Sequence, residues 1–274
     1  MVQILGPGYP RLTEIRALLL AAGLGTRLRP YTEKLPKCLM PISRRPLLEH
    51  WLCTLYKHNV SKVLVNTHHH SKMVREFLTR KPFQCWVDEV YEQELFGTAG
   101  TLWNNWQYFA GSTTLLIHSD NWCQCDFGRF VQYHMFERPA HTLMTMMTFE
   151  TEFPEACGIV ESDKYGVVTA FYEKPVRPKS NLANAAVYIL EPELINILAA
   201  GPQVVDFSSE VIPKYLGRIA TWENRGIHRV IGIIDSLINA QLDATPDNCW
   251  PMEDDWLINY RRSAVVREID SMAV

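Results

Sequence analysis

The sequence predicts an α/β fold built on a mainly parallel sheet, and three observations carry that expectation. Apolar runs of strand length alternate with amphipathic segments of helical period, in the strand, helix, strand, helix rhythm of βαβ units. The first apolar run ends in a Gly-x-Gly turn at Gly23 and Gly25, which permits a tight bend and close approach of backbone N–H groups to a ligand. A later run ends in Ser119-Asp120, and ligands of open α/β sheets bind at the carboxyl ends of strands. The 274 residues, 47% hydrophobic, suffice for a sizeable core in one large domain or two small ones.

Taken in order, residues 1 to about 14 read as a Gly/Pro-containing arm. Ala17 to Ala22 is a buried strand. Pro46 to His58 is helical, with Leu47, Leu48, Trp51, Leu52, Leu55 and Tyr56 on one face and Pro46 in the first turn. Val60 to Asn66 is a second strand, and Ser71 to Thr79 a second helix with Ser71 as its N-cap. Phe83 to Val90 reads as a strand, Gly97 to Phe109 as a loop entering a helix, and Thr113 to His118 as a strand. Asp126 to Phe136 is helical. His141 to Phe149 is a strand whose Met144, Met146 and Met147 suit core packing. Gly158 to Val160, Val167 to Tyr172 and Asn184 to Ile189 are short strands, expected as antiparallel additions. Glu193 to Ala199 and Ser209 to Leu216 are short helices. The core domain is expected over 1–243, with a Pro-, Trp- and acid-containing appendage over 244–274. Its Trp250 and Trp256 leave a homo-oligomer open.

Composition narrows the partners. The formal net charge is -3, and no Lys/Arg stripe with interleaved aromatics marks a nucleic-acid surface. No apolar run approaches the ~18 residues of a membrane span. Met1 to Pro10 lacks the basic and apolar regions of a secretory signal. Seven scattered cysteines lead to free thiols in a reducing, cytoplasmic setting. Cys123-x-Cys125 has no second ligand pair at zinc spacing and reads as a thiol pair. His68-His69-His70 reads as a loop after the second strand.

The chemistry gathers around the glycine turn. Backbone donors, the planar fork of Arg27 and the ammonium of Lys37 compose a cradle for a triphosphate. The spacing is neither that of a Walker loop nor that of the dinucleotide-binding fingerprint. The run Gly23-Leu24-Gly25-Thr26-Arg27-Leu28-Arg29-Pro30-Tyr31-Thr32, followed by Pro36-Lys37-Cys38-Leu39-Met40-Pro41, resembles the signature of sugar-phosphate nucleotidyltransferases. Gly97-Thr98-Ala99-Gly100 is similar to the corresponding segment of mannose-1-phosphate guanylyltransferases, and a heptose-1-phosphate relative is equally compatible.

The resemblance spans roughly residues 14 to 243. It implies a Rossmann-like three-layer sandwich with a mixed, mainly parallel central sheet. It implies an enzyme joining a nucleoside triphosphate and a sugar 1-phosphate into a nucleotide sugar and pyrophosphate, with Mg²⁺. Leu20, Ala22, Gly23, Gly25, Thr26, Arg27, Gly97 and Thr98 are then expected at the nucleotide. Arg27, Lys37 and Asp120 are expected to be catalytic, Asp120 as metal ligand. Gly158, Glu173, Lys174 and Asn184 are expected at the sugar phosphate. Glu92 stands where uridylyltransferases of the family carry a base-reading glutamine. A carboxylate offers only acceptors, which match the N1–H and N2–H₂ donors of guanine, so GTP is favoured over UTP or dTTP. The plain alternative is a solvated charge beside Glu89 and Glu94. One departure stands out. Where the family has Asp-Ile-Gly-Thr-Pro, this chain has Val230-Ile231-Gly232-Ile233-Ile234, and Val230 cannot ligate a metal. Asp235 and Glu223 are the nearest carboxylates, Asp235 being suited to a helix start. A homologue that binds nucleotide sugars without turnover therefore stays open.

Overall fold

The computed structural model describes residues 14–250 and 253–272; the expected N-terminal arm, 1–14, lies outside them except for Glu14. In chain order the elements are β1 (Ile15–Leu20), β2 (Pro41–Ile42), β3 (Arg45–Pro46), α1 (Leu47–Lys57), β4 (Lys62–Thr67), α2 (Ser71–Leu78), β5 (Val87–Tyr91), α3 (Thr98–Asn104), α4 (Trp106–Phe109), β6 (Thr113–His118) and β7 (Asn121–Gln124). They continue with α5 (Phe127–Phe136), β8 (Met144–Glu150), β9 (Gly158–Ser162), β10 (Val168–Glu173), β11 (Leu182–Leu190), α6 (Pro192–Ala200), β12 (Ile219–Glu223), β13 (Ile227–Val230), α7 (Ile234–Leu242), α8 (Asp255–Arg262) and α9 (Ala264–Ser271).

Nine strands form one sheet in the order β10-β9-β11-β6-β1-β4-β5, with β8 beside β11 and β12 beside β8. The centre, β6-β1-β4-β5, is parallel. β11 runs antiparallel to β6 and β8, and β9 pairs antiparallel with β10. This is the mixed α/β sheet that the resemblance implies, and β9, β10 and β11 are antiparallel additions to it. Period-two alternation along β1 sends Ala17 and Leu19 into one apolar cluster and Leu18 into the other. Leu52, Phe77, Phe130, Leu237 and Val266 cover the first face, and Leu102, Leu194 and Phe207 the second. Strands buried on both faces read as continuous apolar runs, which is why the central strands are plain in the sequence. Met144, Met146 and Met147 are fully buried, as core packing requires.

Several boundaries differ from expectation, for identifiable reasons. β1 stops at Leu20, two residues early, because the N–H groups of Ala21 and Ala22 turn to Asn66 Oδ1 at 2.7 and 3.3 Å. Ser71 is the first helical residue of α2, not its cap; His70, at φ 53°, precedes it without a side-chain capping bond. β5 begins only at Val87, because residues 81–86 form turns that bury Phe83. The helix expected after Gly97 is two helices, parted at Asn105. The segment expected as a helix over Ser209 to Leu216 is a wide π turn at Phe207–Val211 and a 3-10 turn at Ile212–Tyr215; Pro213 removes a backbone donor there.

The cysteine expectation is corrected as well. Cys53 and Cys249 form a disulfide, whereas Cys38, Cys85, Cys123, Cys125 and Cys157 are free. The C-terminal residues pack on the core. Leu257, Tyr260, Val265, Val266 and Ile269 lie in the same apolar cluster as α1 and α2. No helix among the described residues is long and apolar enough to cross a membrane.

Burial drives His50 down to about 4 and His228 down to about 3, against an ordinary imidazole value of 6.5. Between those values and 6.5 the unfolded chain binds more protons, so stability falls as pH drops through 6.5. The midpoint of thermal unfolding is therefore expected to decline from pH 7 to pH 4.5. In His50→Gln, which keeps a donor toward Ile42 O (3.1 Å from Nε2), the decline should be shallower, as differential scanning calorimetry at stepped pH would reveal.

Candidate active site

The glycine turn leaves the sheet at the end of β1. Gly25 has φ 61°, and a Cβ there would lie 2.8 Å from Thr32 Cγ2 and 3.2 Å from Lys37 Cβ. Glycine is thus required both by conformation and by the close approach of the Lys37 segment. Nothing lies within 4 Å of a Cβ built on Gly23, so that side of the turn is open. Thr32 Oγ1 donates to Gly25 O at 2.9 Å. The carbonyl of Thr32 lies 3.1 Å from His69 Nε2 and 3.2 Å from His70 Nε2. The histidine tract does follow β4, and it ties the turn down. Thr26 and Arg27 are exposed in the open mouth. The guanidinium of Arg27 crosses Gly232, where a Cβ would meet Nη2 at 3.1 Å.

Behind the turn lies a buried polar hub. Asn66 Oδ1 accepts the N–H groups of Ala21 and Ala22, and its Nδ2 donates to Glu92 Oε1 at 2.9 Å. Glu92 Oε1 also accepts from Thr101 Oγ1 at 2.6 Å, and Oε2 accepts the Phe96 N–H at 3.1 Å. Glu92 is 0% exposed. Both readings of Glu92 are corrected by this: it is neither a solvated charge nor a free acceptor facing a base. Three donors converge on it and hold it inward, so it supports the turn that precedes Gly97. Gly97, at φ 81°, lets Val205 O approach within 2.4 Å of where a Cβ would stand. Thr98 Oγ1 is engaged internally, donating to Asp206 Oδ2 at 3.2 Å and accepting from Phe207 N at 2.7 Å.

Lys37 and Asp120 meet across the site. Ser119 binds Leu20 O through its N–H at 3.2 Å and its Oγ at 2.8 Å, which locks the end of β6 to the end of β1. That contact sets Asp120 opposite the Lys37 segment, where Lys37 Nζ donates to Asp120 Oδ2 at 2.6 Å. Burial pushes the Asp120 carboxyl up, but Lys37, His118 and a backbone hydrogen bond together outweigh it and hold the group below the usual carboxylate range. Val230 pairs in register with Asn121, next to Asp120. The position expected to complete a metal site is therefore beside Asp120, and it is apolar. Asp235 lies exposed in the first turn of α7, in the helix-start role. Glu223 pairs with Arg225 at 3.5 Å. Among the described residues no cluster of three or more His, Cys, Asp or Glu side chains suits a metal. The hard oxygens of Asp120 fit a divalent ion such as Mg²⁺ only as a single protein ligand, with phosphate and water as the others.

The wall on the β11 side carries the remaining expected residues. Gly158 pairs with Glu173 across β9 and β10, and a Cβ on Gly158 would clash with the Phe171 ring at 2.5 Å. Lys174, at φ 45°, extends into solvent with Nζ 3.2 Å from Glu173 Oε1. Asn184 donates to Tyr188 Oη at 2.6 Å and accepts the Ala186 N–H at 2.9 Å. Asn66 and His118 were missed by sequence reasoning. The available signal was a polar residue at the end of an otherwise apolar strand. His118 Nε2 is shut from solvent without a partner, and burial lowers its ring below the ordinary imidazole range despite Asp120 and Asp206 nearby.

A family model described as nucleotidyl transferase matches residues 16–246, which takes in the glycine turn, Lys37, Asp120 and the β9–β11 wall. The chain belongs to the nucleotidyl transferase family. The mannose-1-phosphate guanylyltransferase catalytic subunit beta of Drosophila melanogaster is 30% identical over 203 residues, 73% of this chain and 54% of that protein. The UTP–glucose-1-phosphate uridylyltransferase of Synechocystis is 28% identical over 214 residues, 73% of this chain and 55% of that protein. The chain thus spans little more than half the length of these relatives. The crystal structure of HddC from Yersinia pseudotuberculosis complexed with GMP-PN matches with a TM-score of 0.69 at 23% identity, over 82% of this chain and 97% of that one. That likeness supports the family's α/β fold in this chain.

Gly25→Ala would force a side chain into a left-handed backbone against Thr32 and Lys37. The expected outcome is a loss of about 1–3 kcal/mol in stability by denaturant unfolding, larger than for Gly23→Ala.

Proposed function

We propose that this chain transfers a nucleotidyl group from a nucleoside triphosphate to a sugar 1-phosphate, releasing pyrophosphate. The observation that carries the reading is the convergence of an open glycine turn, Arg27 and the Lys37–Asp120 pair at the carboxyl ends of β1 and β6. The phosphate oxygen of the acceptor attacks the α-phosphorus in line, and the bond to the β-phosphate oxygen breaks. That acceptor oxygen is already ionised near neutral pH, so no general base is needed. The protein's part is positioning and charge neutralisation. Arg27 holds the β- and γ-phosphates that leave. Lys37 turns from Asp120 toward the α-phosphate. Lys174, a point charge at the β10 end, positions the acceptor phosphate. Members of this family generally use a divalent metal. Mg²⁺ held by Asp120 would neutralise phosphate charge.

GTP is the favoured donor. Glu92 no longer supports that choice. The Gly97-Thr98-Ala99-Gly100 segment does, together with relatives named as mannose-1-phosphate guanylyltransferases. UTP is the competitor, supported by the uridylyltransferase relative. A role in nucleotide-sugar supply for polysaccharides follows from the product class. Val230 favours a second reading, binding of a nucleotide sugar without turnover, since it leaves Asp120 as the one acidic ligand at the metal position.

Pyrophosphate release should be measured across all NTPs with a panel of sugar 1-phosphates and Mg²⁺. Arg27→Ala and Lys37→Ala are expected to lower release by at least about a hundredfold with the circular dichroism spectrum unchanged; full activity in either variant refutes the assigned roles. Val230→Asp is expected to raise Mg²⁺-dependent turnover. Calorimetric binding of GTP or a GDP-sugar by a wild type that releases no pyrophosphate over hours would decide for the second reading.

A further inference from the structure

We propose that α8 and α9 brace the segment carrying Lys37, and that the Cys53–Cys249 disulfide latches this brace, so that the thiol–disulfide state sets the grip of Lys37. Lys37 sits in a single 3-10 turn, Lys37–Leu39, closed by Met40 N to Lys37 O at 3.0 Å. A turn that short has little stability of its own. Besides α1, which packs on it, its flanks take bonds from the C-terminal helices. Tyr260 Oη donates to Leu39 O at 2.6 Å, and Arg261 Nε to Arg44 O at 3.0 Å. Gln241 takes the Ser43 N–H at 2.9 Å and donates to Pro41 O. Tyr31 Oη donates to Glu268 at 3.1 Å. Both flanks of Lys37 are therefore held from residues 241–268.

The brace is anchored behind. The buried Arg80 donates through Nε to Asp254 Oδ2 at 2.7 Å and through Nη1 to Glu49 Oε2 at 2.5 Å. Its guanidinium lies 5.2 Å from each of the Phe77, Phe83 and Trp256 rings, and Trp256 stacks on Tyr260 at 5.1 Å. The chain between α7 and α8 has no regular structure among its described residues. It is pinned to α1 by Lys57 Nζ to Asp247 O at 2.7 Å and by the bond from Cys249 to Cys53. That covalent link holds Cys249, six residues before the first residue of α8, against α1. Clefts reach the bond from two sides, one lined by Cys53, Thr54 and Asn248, the other by Cys249, Tyr56 and Trp86. A dithiol reductant supplies two electrons and two protons, the S–S bond opens to two thiols, and the reductant closes its own disulfide. The linker then loses its covalent tie to α1 and keeps the Lys57–Asp247 bond, so the support that Tyr260 gives Leu39 rests on Arg80 and Trp256 alone.

The consequence for nucleotide rests on Lys37 being a phosphate ligand; the brace itself does not. Hydrogen exchange in the free protein therefore decides it, with and without dithiothreitol. Peptides covering residues 31–45 are expected to exchange roughly tenfold faster after reduction, with β1, β4 and β6 unchanged. Cys249→Ser should show the fast rate without reductant and ignore its addition. Tyr260→Phe should show it with the disulfide intact. KM for GTP should rise several-fold on reduction while kcat changes less. Equal exchange of residues 31–45 in both redox states overturns the latch, and so does exchange that quickens everywhere, which would be global unfolding. An unchanged loop in Tyr260→Phe overturns the brace. A wild type that turns over no nucleotide defeats the functional reading and leaves the exchange result standing.

Discussion

The candidate site depends on one side chain, the carboxamide of Asn66. A parallel strand in the middle of a sheet is committed to its neighbours, and β1 has to leave that commitment to form a loop. Asn66, 4% exposed, makes the departure possible by accepting the two N–H groups that β1 abandons. A buried donor left without a partner costs about 1–3 kcal/mol, so the turn would otherwise start with two such debts. The same amide then spends its donors on Glu92 and Thr101. One residue thereby ties the end of β1 to the loop after β5 and to α3. A low-dielectric network of this kind is rigid because each member is satisfied only by the others.

Charge in the mouth of the site is arranged around a single carboxylate. Asp120 neutralises Lys37 when no phosphate is present, which keeps a largely buried ammonium paired. Val230 keeps the far side of Asp120 apolar.

Features with local causes were legible in the sequence. The glycine bend, the parallel core strands and the Asp120 strand end follow from φ preferences and from apolar runs a few residues long. Features with distant causes were not. β7 pairs with β13 across about a hundred residues of chain, and neither strand has a strong alternation of its own. Glu92 was assigned to the base by resemblance, with a solvated charge as the alternative; its burial depends on Asn66 and Thr101, which neither reading reaches. The disulfide joins cysteines 196 residues apart, which no spacing rule reaches. The C-terminal helices were read as an appendage from their Pro, Trp and acidic content. Leu257, Val265, Val266 and Ile269 lie at helical spacing and enter the common core.

The sheet separates two tasks by position. Gly25, Arg27, Lys37 and Asp120 lie at the end of its parallel centre, whereas Gly158 and Glu173 stand on the β9–β10 pair at its antiparallel rim, with Lys174 just beyond it. The rim packs mainly against its own neighbours, so substitutions there leave the Asn66 hub and the glycine bend untouched. A change of side chain at the rim can therefore reshape that end of the sheet while the bend at the end of β1 keeps its backbone.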